Sequence, residues 1–259
     1  MTHSEKRGAS SIFMTIPLYD DDLPYLTTEQ MIEVDRAMME DVRIELIQMM
    51  ENAGRNLAHL ARMRFLDGKP QGKHVVVLAG TGGNGGGALV CARRLHTWGA
   101  HVQVVVTRPV EDFSPIPAHQ LESLRRMRVP LAQAEAINQV RSPALIVDGL
   151  IGYRLRGAPQ GTVADLIHWA NAACVPILSL DVPSGVESTT GAVFEPAIKA
   201  TATMTLALPK AGLRAPGAQK LVGELYLADI SVPPSLYAEP ALALQVGPLF
   251  AESEILRLR

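Results

Sequence analysis

The sequence predicts an α/β fold, a three-layer α/β/α Rossmann-like sandwich with a mostly parallel central sheet. From residue 74 onward, short and almost wholly apolar segments alternate with helical patterns. Strands that are apolar along their whole length are typical of parallel sheets covered by helices on both faces. A composition of 47% hydrophobic and 19% charged residues indicates a globular chain with a sizeable core. We therefore expect residues 1–24 to be a polar N-terminal leader and residues 25–259 a single α/β domain.

Two helices are expected before the alternating region. Thr27 and Gln30 have the spacing of a capping box, and Met31, Val34 and Met38 follow with helical periodicity. A second helix is predicted across residues 42–65, with its methionines and leucines in the core. The later helices are predicted near residues 86–98, 115–126 and 160–173. The strands are predicted at 74–79, 101–107, 144–148, 175–181, 201–207 and 222–228.

Charge and composition argue against several classes of partner. The net charge is −2, and the arginine pairs lie in helical patterns as solvated faces, so no nucleic-acid partner is expected. No apolar run approaches the length needed to cross a bilayer, so no membrane partner is expected. Cys91 and Cys174 are expected to be buried free thiols, which with the lack of a hydrophobic N-terminal segment favours a cytoplasmic protein.

The first strand of the alternating region runs into a glycine-rich segment, Gly80–Gly87, which predicts a phosphate site. Asn84 lies among the glycines, and a helical pattern follows. Bare backbone before a helix offers N–H groups and a favourable dipole to an anion. A tight turn without a ligand is the alternative, although ordinary turns need only one or two glycines. Neither a Walker lysine nor an acidic residue after the second strand is present, since that strand closes on Arg108.

Charged side chains follow three other strands. Asp148 and Asp181 end apolar strands, and Lys210 comes just after another. In open α/β sheets, ligands bind beyond the carboxyl ends of the strands, so these groups are candidates for chemistry. Burying the two carboxylates would be costly unless each is paired, hydrogen-bonded or bound to a cation. Each also has a plain structural interpretation, as a cap, a turn residue or a surface lysine.

Taken in order, these segments resemble the YjeF N-terminal domain family, the NAD(P)HX epimerases, which include the apolipoprotein A-I binding protein. The resemblance covers roughly residues 25–235 and begins with a helix signature at Met50–Gly54. The remaining motifs are found at Gly80–Ala88, Asp148–Gly157, Asp181–Gly185, Leu208–Gly212 and Gly223–Leu225, followed by Asp229, Ile230 and Pro233.

The resemblance implies an enzyme that interconverts the R and S epimers of NADHX and NADPHX, in which water has added to C6 of the nicotinamide ring. It implies a bound potassium ion, with Asn84, Asp148 and Ser184 as ligands, and a homodimer. Asp181 is the candidate acid/base, with Lys210 as a second catalytic candidate. The residues implied to contact the substrate are Gly82, Gly83, Asn84, Gly85, Gly86, Gly87, Gly152, Tyr153, Arg154, Leu155, Arg156, Gly157, Ala158 and Asp181.

The glycine segment departs from the family pattern in a way that leaves two alternatives open. The first Asn of the motif is Gly83, its Asp is Gly87 and its last Gly is Ala88. A chain lacking that Asp could be a catalytically impaired nucleotide-binding or scaffold module of the same fold. A plain oxidoreductase is a third interpretation, which the missing acidic residue after the second strand disfavours.

Overall fold

The computed structural model describes residues 15–140 and 142–259, and within them the chain forms one eight-stranded sheet. Seven strands are parallel and the last is antiparallel, in the order β3-β2-β1-β4-β5-β6-β7-β8. The strands are β1 His74–Ala79, β2 His101–Val106, β3 Leu131–Gln133, β4 Leu145–Gly149, β5 Ile177–Leu180, β6 Ala202–Leu206, β7 Glu224–Ala228 and β8 Ile255–Arg257. The chain order reverses between β1 and β4, so their carboxyl ends flank the switch point where such sheets bind ligands.

Helices cover both faces of the sheet, which confirms the predicted three-layer α/β architecture. Alternate residues of β1 separate the two cores: Val75 and Val77 face one, while Val76 and Leu78 face the other. Helices α2, α3 and α4 pack on the first face, and α5 on the second. The helices are α1 Thr28–Ala37, α2 Leu46–Phe65, α3 Gly83–Thr97, α4 Pro115–Arg126, α5 Gly161–Ala172, α6 Pro216–Val222 and α7 Pro234–Ala238.

The two N-terminal helices form as expected, but the second begins later than predicted. The capping box of Thr27 and Gln30 is present at the start of α1. A π-helical turn, Met38–Val42, continues α1 and ends at Arg43, whose φ of 65° is left-handed. The prediction of one helix over 42–65 was therefore wrong at its start, because α2 needs a new N-terminus at Leu46 after this reversal.

Three further details differ from the sequence expectation. Helix α3 begins at Gly83 rather than near 86, so most of the glycines form its first turns instead of a preceding loop. Two short strands, β3 and β8, and the short helices α6 and α7 were not predicted, because they carry too few residues for periodicity to appear. Cys91 is a buried free thiol as expected, but Cys174 is exposed, because it follows α5 in a left-handed turn.

The described part of the predicted leader lies along the edge of the sheet. Leu18 forms an isolated parallel bridge with Arg257, and Tyr19 donates its N–H to the same residue's carbonyl at 2.8 Å. The remainder of that predicted leader, residues 1–14, lies outside the described residues. Among residues 15–140 and 142–259, each helix is too short or too polar to cross a membrane.

Candidate active site

A cavity of about 530 Å³ opens at the carboxyl ends of β1, β4 and β5, beneath α1 and α2. Such a volume suits a small-molecule ligand. Its wall combines the glycine segment, the loop after β4, the end of β5 and an apolar wall of methionines from the N-terminal helices. The lining residues are Met31, Asp35, Met39, Leu46, Met49, Met50, Ala53, Gly82, Gly83, Asn84, Gly85, Gly87, Ser114, Leu150, Ile151, Gly152, Tyr153, Arg154, Leu180, Asp181, Leu206, Lys210 and Ile230.

The glycine segment provides the start of α3 at this cavity. A Cβ on Gly85 would lie 1.8 Å from the carbonyl oxygen of Gly80, so only glycine permits this close turn. The first intrahelical bond runs from the Gly86 N–H to the Gly82 oxygen, and the N–H groups before it have no partner earlier in the helix. The start of this 15-residue helix therefore offers N–H groups and a positive dipole end to an anion such as phosphate.

Asn84 joins the glycine segment to the loops after two other strands. Its side-chain amide donates to the carbonyl oxygens of Ile151 at 3.1 Å and Leu180 at 2.8 Å. The Gly152 backbone packs closely on the same amide, since a Cβ there would lie 3.1 Å from Asn84 Cγ. Asn84 thus fixes the relative positions of β1, β4 and β5 at the cavity floor.

Asp148 lies just below the cavity, and both of its carboxylate oxygens are engaged. Oδ1 accepts from the Ser184 hydroxyl at 2.6 Å and the Leu150 N–H at 3.2 Å. Oδ2 accepts from the Ser179 hydroxyl at 2.8 Å and the Ser184 N–H at 3.0 Å. Burial raises the pKa of Asp148, and these four hydrogen bonds oppose that rise by stabilising the carboxylate. With its acceptors used, Asp148 supports the loop after β4 rather than reaching into the cavity.

Two of the three predicted potassium ligands, Asn84 and Ser184, meet at the carbonyl oxygen of Ile151, and the third, Asp148, contacts Ser184. Asn84 donates to this oxygen, and the Ser184 hydroxyl lies 3.3 Å from it while also contacting Asp148. Within the described residues there is no group of three His, Cys, Asp or Glu side chains arranged to hold a metal ion. The donors here are instead one carboxylate, a hydroxyl, an amide and backbone carbonyls. Oxygen donors of this low total charge fit a hard monovalent cation better than a transition metal.

Asp181 and Lys210 form a buried ion pair in the cavity wall. Lys210 is fully buried and donates both to Asp181 Oδ1 and, at 2.8 Å, to the Leu206 carbonyl. Asp181 has a left-handed φ of 66°, a strained conformation that is concentrated at functional sites. Its hydrogen bonds from Thr205 and from the Leu206 N–H also end on Oδ1. Among the described residues, no donor reaches Oδ2, which leaves one carboxylate oxygen of Asp181 free for a ligand.

A second carboxylate, which the sequence reasoning missed, lines the same cavity. Asp35 projects from α1, and its Oδ2 accepts a hydrogen bond from the Tyr153 hydroxyl. Arg154 lies 3.9 Å from the same oxygen and donates to that hydroxyl at 3.1 Å. Burial is the main reason that the pKa of Asp35 is raised, and the charge of Asp181 adds to it; Tyr153, Lys210 and Arg154 act in the opposite direction. Asp35 lies four residues after Met31, on the buried side of α1, and that position was the available signal.

Most of the predicted substrate contacts line the cavity, but not all of them. Those that line it are Gly82, Gly83, Asn84, Gly85, Gly87, Gly152, Tyr153, Arg154 and Asp181. The second catalytic candidate, Lys210, lines the cavity as well. Gly86 instead packs against Met50 and Pro117. The rest of the predicted contacts, Leu155, Arg156, Gly157 and Ala158, continue the loop beyond the cavity wall.

Gly87, where the resembling family has an Asp, lies against Leu180. A Cβ on Gly87 would be 2.7 Å from Leu180 Cδ2, so the leucine side chain occupies the space beside the missing carboxylate. Helix α3 nevertheless keeps its N-terminal backbone at the cavity, since Gly87 supplies the same N–H as any residue.

Comparison with known proteins identifies relatives over most of the chain. The family described as YjeF-related protein N-terminus matches residues 46–212. A protein of Dehalogenimonas lykanthroporepellens named NAD(P)H-hydrate epimerase is 39% identical, over 87% of this chain and 89% of its own. A protein of the same name from Rhodopirellula baltica is 32% identical, over 82% of this chain and 86% of its own.

Two other matches are a longer, bifunctional relative and a protein of known structure. The Bifunctional NAD(P)H-hydrate repair enzyme Nnr of Salinibacter ruber is 36% identical over 82% of this chain, which spans 41% of that longer protein. The crystal structure of the yeast protein ynu0 superposes with a TM-score of 0.77 at 23% identity, covering 91% of this chain and 100% of its own. That superposition supports the fold.

Proposed function

The chain belongs to the YjeF-related N-terminal family, and we propose that it is an isomerase that interconverts the R and S epimers of hydrated NADH and NADPH. The observation that supports this function is that one cavity is lined both by the N-terminus of α3, which suits phosphate, and by the buried Asp181–Lys210 pair. The two relatives named NAD(P)H-hydrate epimerase, which this chain matches over nearly their full length, support the same activity.

The cavity has separate regions for the two ends of a dinucleotide. The start of α3 at Gly82 and Gly83 suits the phosphates, because unpaired N–H groups and the helix dipole favour anions. The methionine wall of α1 and α2, which includes Met31 and Met49, suits a flat ring, because thioether side chains adapt to irregular apolar shapes. The nicotinamide then lies against this methionine wall, near Asp181, which lines the same cavity.

Epimerisation at C6 needs the hydroxyl group to leave and water to return on the other face. The nitrogen lone pair of the hydrated ring stabilises the cation formed when the C6–O bond breaks, and a carboxyl group assists by moving protons. Asp181 fits this role because it lines the cavity and no donor from residues 15–140 or 142–259 reaches its Oδ2. Lys210 holds the other oxygen and supplies a counter-charge in a buried setting.

Three further properties are part of this proposal. A potassium ion held by Asn84, Asp148 and Ser184, the ligands that the family resemblance implies, would supply a fixed positive charge beside the loops that border the cavity. It would replace some of the hydrogen bonds that Asp148 accepts here. The exposed apolar side chains Ile32 and Val42, near α1, are compatible with a homodimer formed through the N-terminal helices. A cytoplasmic location agrees with the free thiols at Cys91 and Cys174.

A binding or scaffold module without catalysis is the weaker candidate. The replacement of the family Asp by Gly87 motivated it, but the buried Lys210 and Asp181 oppose it, since a scaffold gains nothing from a strained, half-free carboxylate. The names of the relatives also favour the enzyme. A plain oxidoreductase gains no support from the cavity, whose identified groups are those of proton transfer.

The experiment that tests the function is a coupled assay with R-NADHX, potassium ions and an S-specific dehydratase. Conversion well above the spontaneous rate is expected with the purified protein. Absence of acceleration by protein that binds NADP⁺ and unfolds cooperatively would instead support the binding module.

A further inference from the structure

Two carboxylates on different elements line the cavity, and each uses only one of its two oxygens for contacts with the described part of the protein. Asp181 uses only Oδ1 for its contacts with Lys210, Thr205 and the Leu206 N–H. Asp35 uses only Oδ2, for Tyr153 and Arg154. In each case the described residues send no donor to the second oxygen. Asp148, by contrast, uses both oxygens and lies outside the cavity wall.

Tyr153 is linked to α1 at two points, the start of the helix and Asp35. At the start of α1, Thr28 contacts Ser188 at 2.7 Å through their hydroxyls, and Ser188 donates to the Tyr153 carbonyl at 2.8 Å. The Tyr153 hydroxyl then donates to Asp35, so one residue of the β4 loop fixes both the helix start and the carboxylate. Such double attachment is typical of a side chain whose orientation matters for binding or chemistry.

Inversion at C6 creates a need for two proton-transfer groups. The hydroxyl leaves from one face of the ring, and the incoming water attacks from the other. A group in hydrogen-bond reach of the first oxygen, about 2.6–3.2 Å, is not in reach of the second unless the ring or the side chain moves. A single carboxylate such as Asp181 therefore serves one face at a time.

We propose that Asp35 is a second proton-transfer residue of this site and serves the face of the ring opposite to the one served by Asp181. This inference rests on the proposed epimerase function. In one direction, the Asp35 carboxyl gives its proton to the C6 hydroxyl, the C6–O bond breaks with its electron pair on oxygen, and water departs. A water molecule then bonds to C6 on the other face and gives a proton to Asp181 Oδ2. In the reverse direction the two residues exchange roles, and solvent restores their protons.

The electrostatic surroundings agree with this division. Burial and the charge of Asp181 raise the pKa of Asp35, which favours a proton on that group. The other groups that face Asp35 are Tyr153, Arg154 and Lys210, and all three moderate the rise. Asp181 has the ammonium of Lys210 against it, so a carboxylate there has its counter-charge.

The test compares the wild-type protein with Asp35→Asn, Asp181→Asn and Glu40→Gln in both directions of epimerisation. Asparagine at residue 35 can still accept the Tyr153 hydrogen bond but carries no exchangeable acid. Glu40→Gln removes an exposed carboxylate next to α1 and is the matched control. We expect Asp35→Asn to lower kcat by about 100-fold or more, within the range of general acid/base catalysis. The affinity for NADP⁺ should change less than threefold, and one limb of the kcat–pH profile should disappear.

Four results decide between the alternatives. If Asp35→Asn keeps kcat within threefold of the wild type, or loses affinity as strongly as kcat, the second proton-transfer role is wrong while the epimerase function stands. If the wild-type protein itself shows no epimerisation, both proposals fail. Tyr153→Phe keeps the carboxyl group and should retain far more activity than Asp35→Asn; an equal loss would assign the effect of Asp35 to positioning and overturn the proposal. Activity of Glu40→Gln as low as that of Asp35→Asn would also overturn it.

Discussion

Replacing Lys210 by Met tests the buried ion pair most severely. The substitution keeps the length of the side chain and removes the ammonium that contacts Asp181, while Lys210 has no exposed surface and the Asp181 side chain only 4%. Solvent reaches the remaining carboxylate only from the cavity, so it screens that charge poorly. The two weaker donors to Asp181, Thr205 and the Leu206 N–H, lie at 3.3 Å and replace only part of the loss.

The expected loss of stability for Lys210→Met follows from this burial. Removing one partner of a buried pair costs about 3–5 kcal/mol, because the other charge is left uncompensated. For a chain of this size, each kcal/mol lowers the melting temperature by about 2–4 °C, so a fall of about 6–20 °C is expected. Urea unfolding at pH 7 should show the same loss as a lower midpoint with an unchanged slope.

Two further variants separate the charge effect from loss of packing. Adding Asp181→Asn to Lys210→Met removes the uncompensated charge and should restore about 2 kcal/mol or more of the lost stability. It should not restore epimerisation. Lys220→Met, on the exposed side of α6, removes a lysine charge without a buried partner and should leave the midpoint unchanged. A loss below about 1 kcal/mol for Lys210→Met, or a double variant no more stable than the single one, would refute the argument.

Three other substitutions, with Gly83→Ala as a control for one of them, test the remaining parts of the site. Because burial raises the folded-state pKa of Asp35, the stability it contributes is full below its unfolded pKa and is lost as pH rises through the folded pKa. Unfolding curves should therefore show Asp35→Asn gaining stability relative to the wild type as pH rises above about 4, the unfolded value. A constant difference would contradict this. Gly85→Ala places a Cβ 1.8 Å from the Gly80 oxygen and should cost about 3 kcal/mol, whereas Gly83→Ala meets open space and should be nearly neutral in the same measurement. Ser184→Ala removes a buried hydroxyl that donates at 2.6 Å and should cost about 1–3 kcal/mol; if potassium binds here, activation by potassium ions should weaken in parallel.

The sheet could be predicted because several of its strands are recognisable from their composition alone. Val75–Leu78 and Leu145–Val147 are apolar at every position, which only a strand covered on both faces requires. The two charged strand ends, Asp148 and Asp181, could be found for the same reason, since a carboxylate after such a run is conspicuous. What the pattern could not distinguish was their roles. The two aspartates look alike in the sequence. In the structure Asp148 accepts four hydrogen bonds, whereas no donor among the described residues reaches Oδ2 of Asp181.

The features that were missed depend on contacts distant in the sequence. In the sequence, Asp35 is only one of several acidic residues in and near a polar helix. What distinguishes it is the hydrogen bond from Tyr153, which lies 118 positions away along the chain. The helix break at Arg43 is not marked by a glycine or a proline, so the sequence pattern predicted one helix over residues 42–65. The glycines after β1 were taken for a loop because glycine has a low helix propensity, but tight contacts with Met50 and Gly80 require them within the first turns of α3.

The most direct test of the central claim is the rate at which the purified R epimer of NADPHX is converted to the S form, followed by chromatography with wild-type protein and with Asp181→Asn. We expect the wild-type protein to bring the two epimers to equilibrium far faster than the spontaneous reaction. We expect Asp181→Asn to be at least about 100-fold slower while it still binds NADP⁺. A wild-type rate equal to the spontaneous rate, in protein that is folded and binds NADP⁺, would contradict the account.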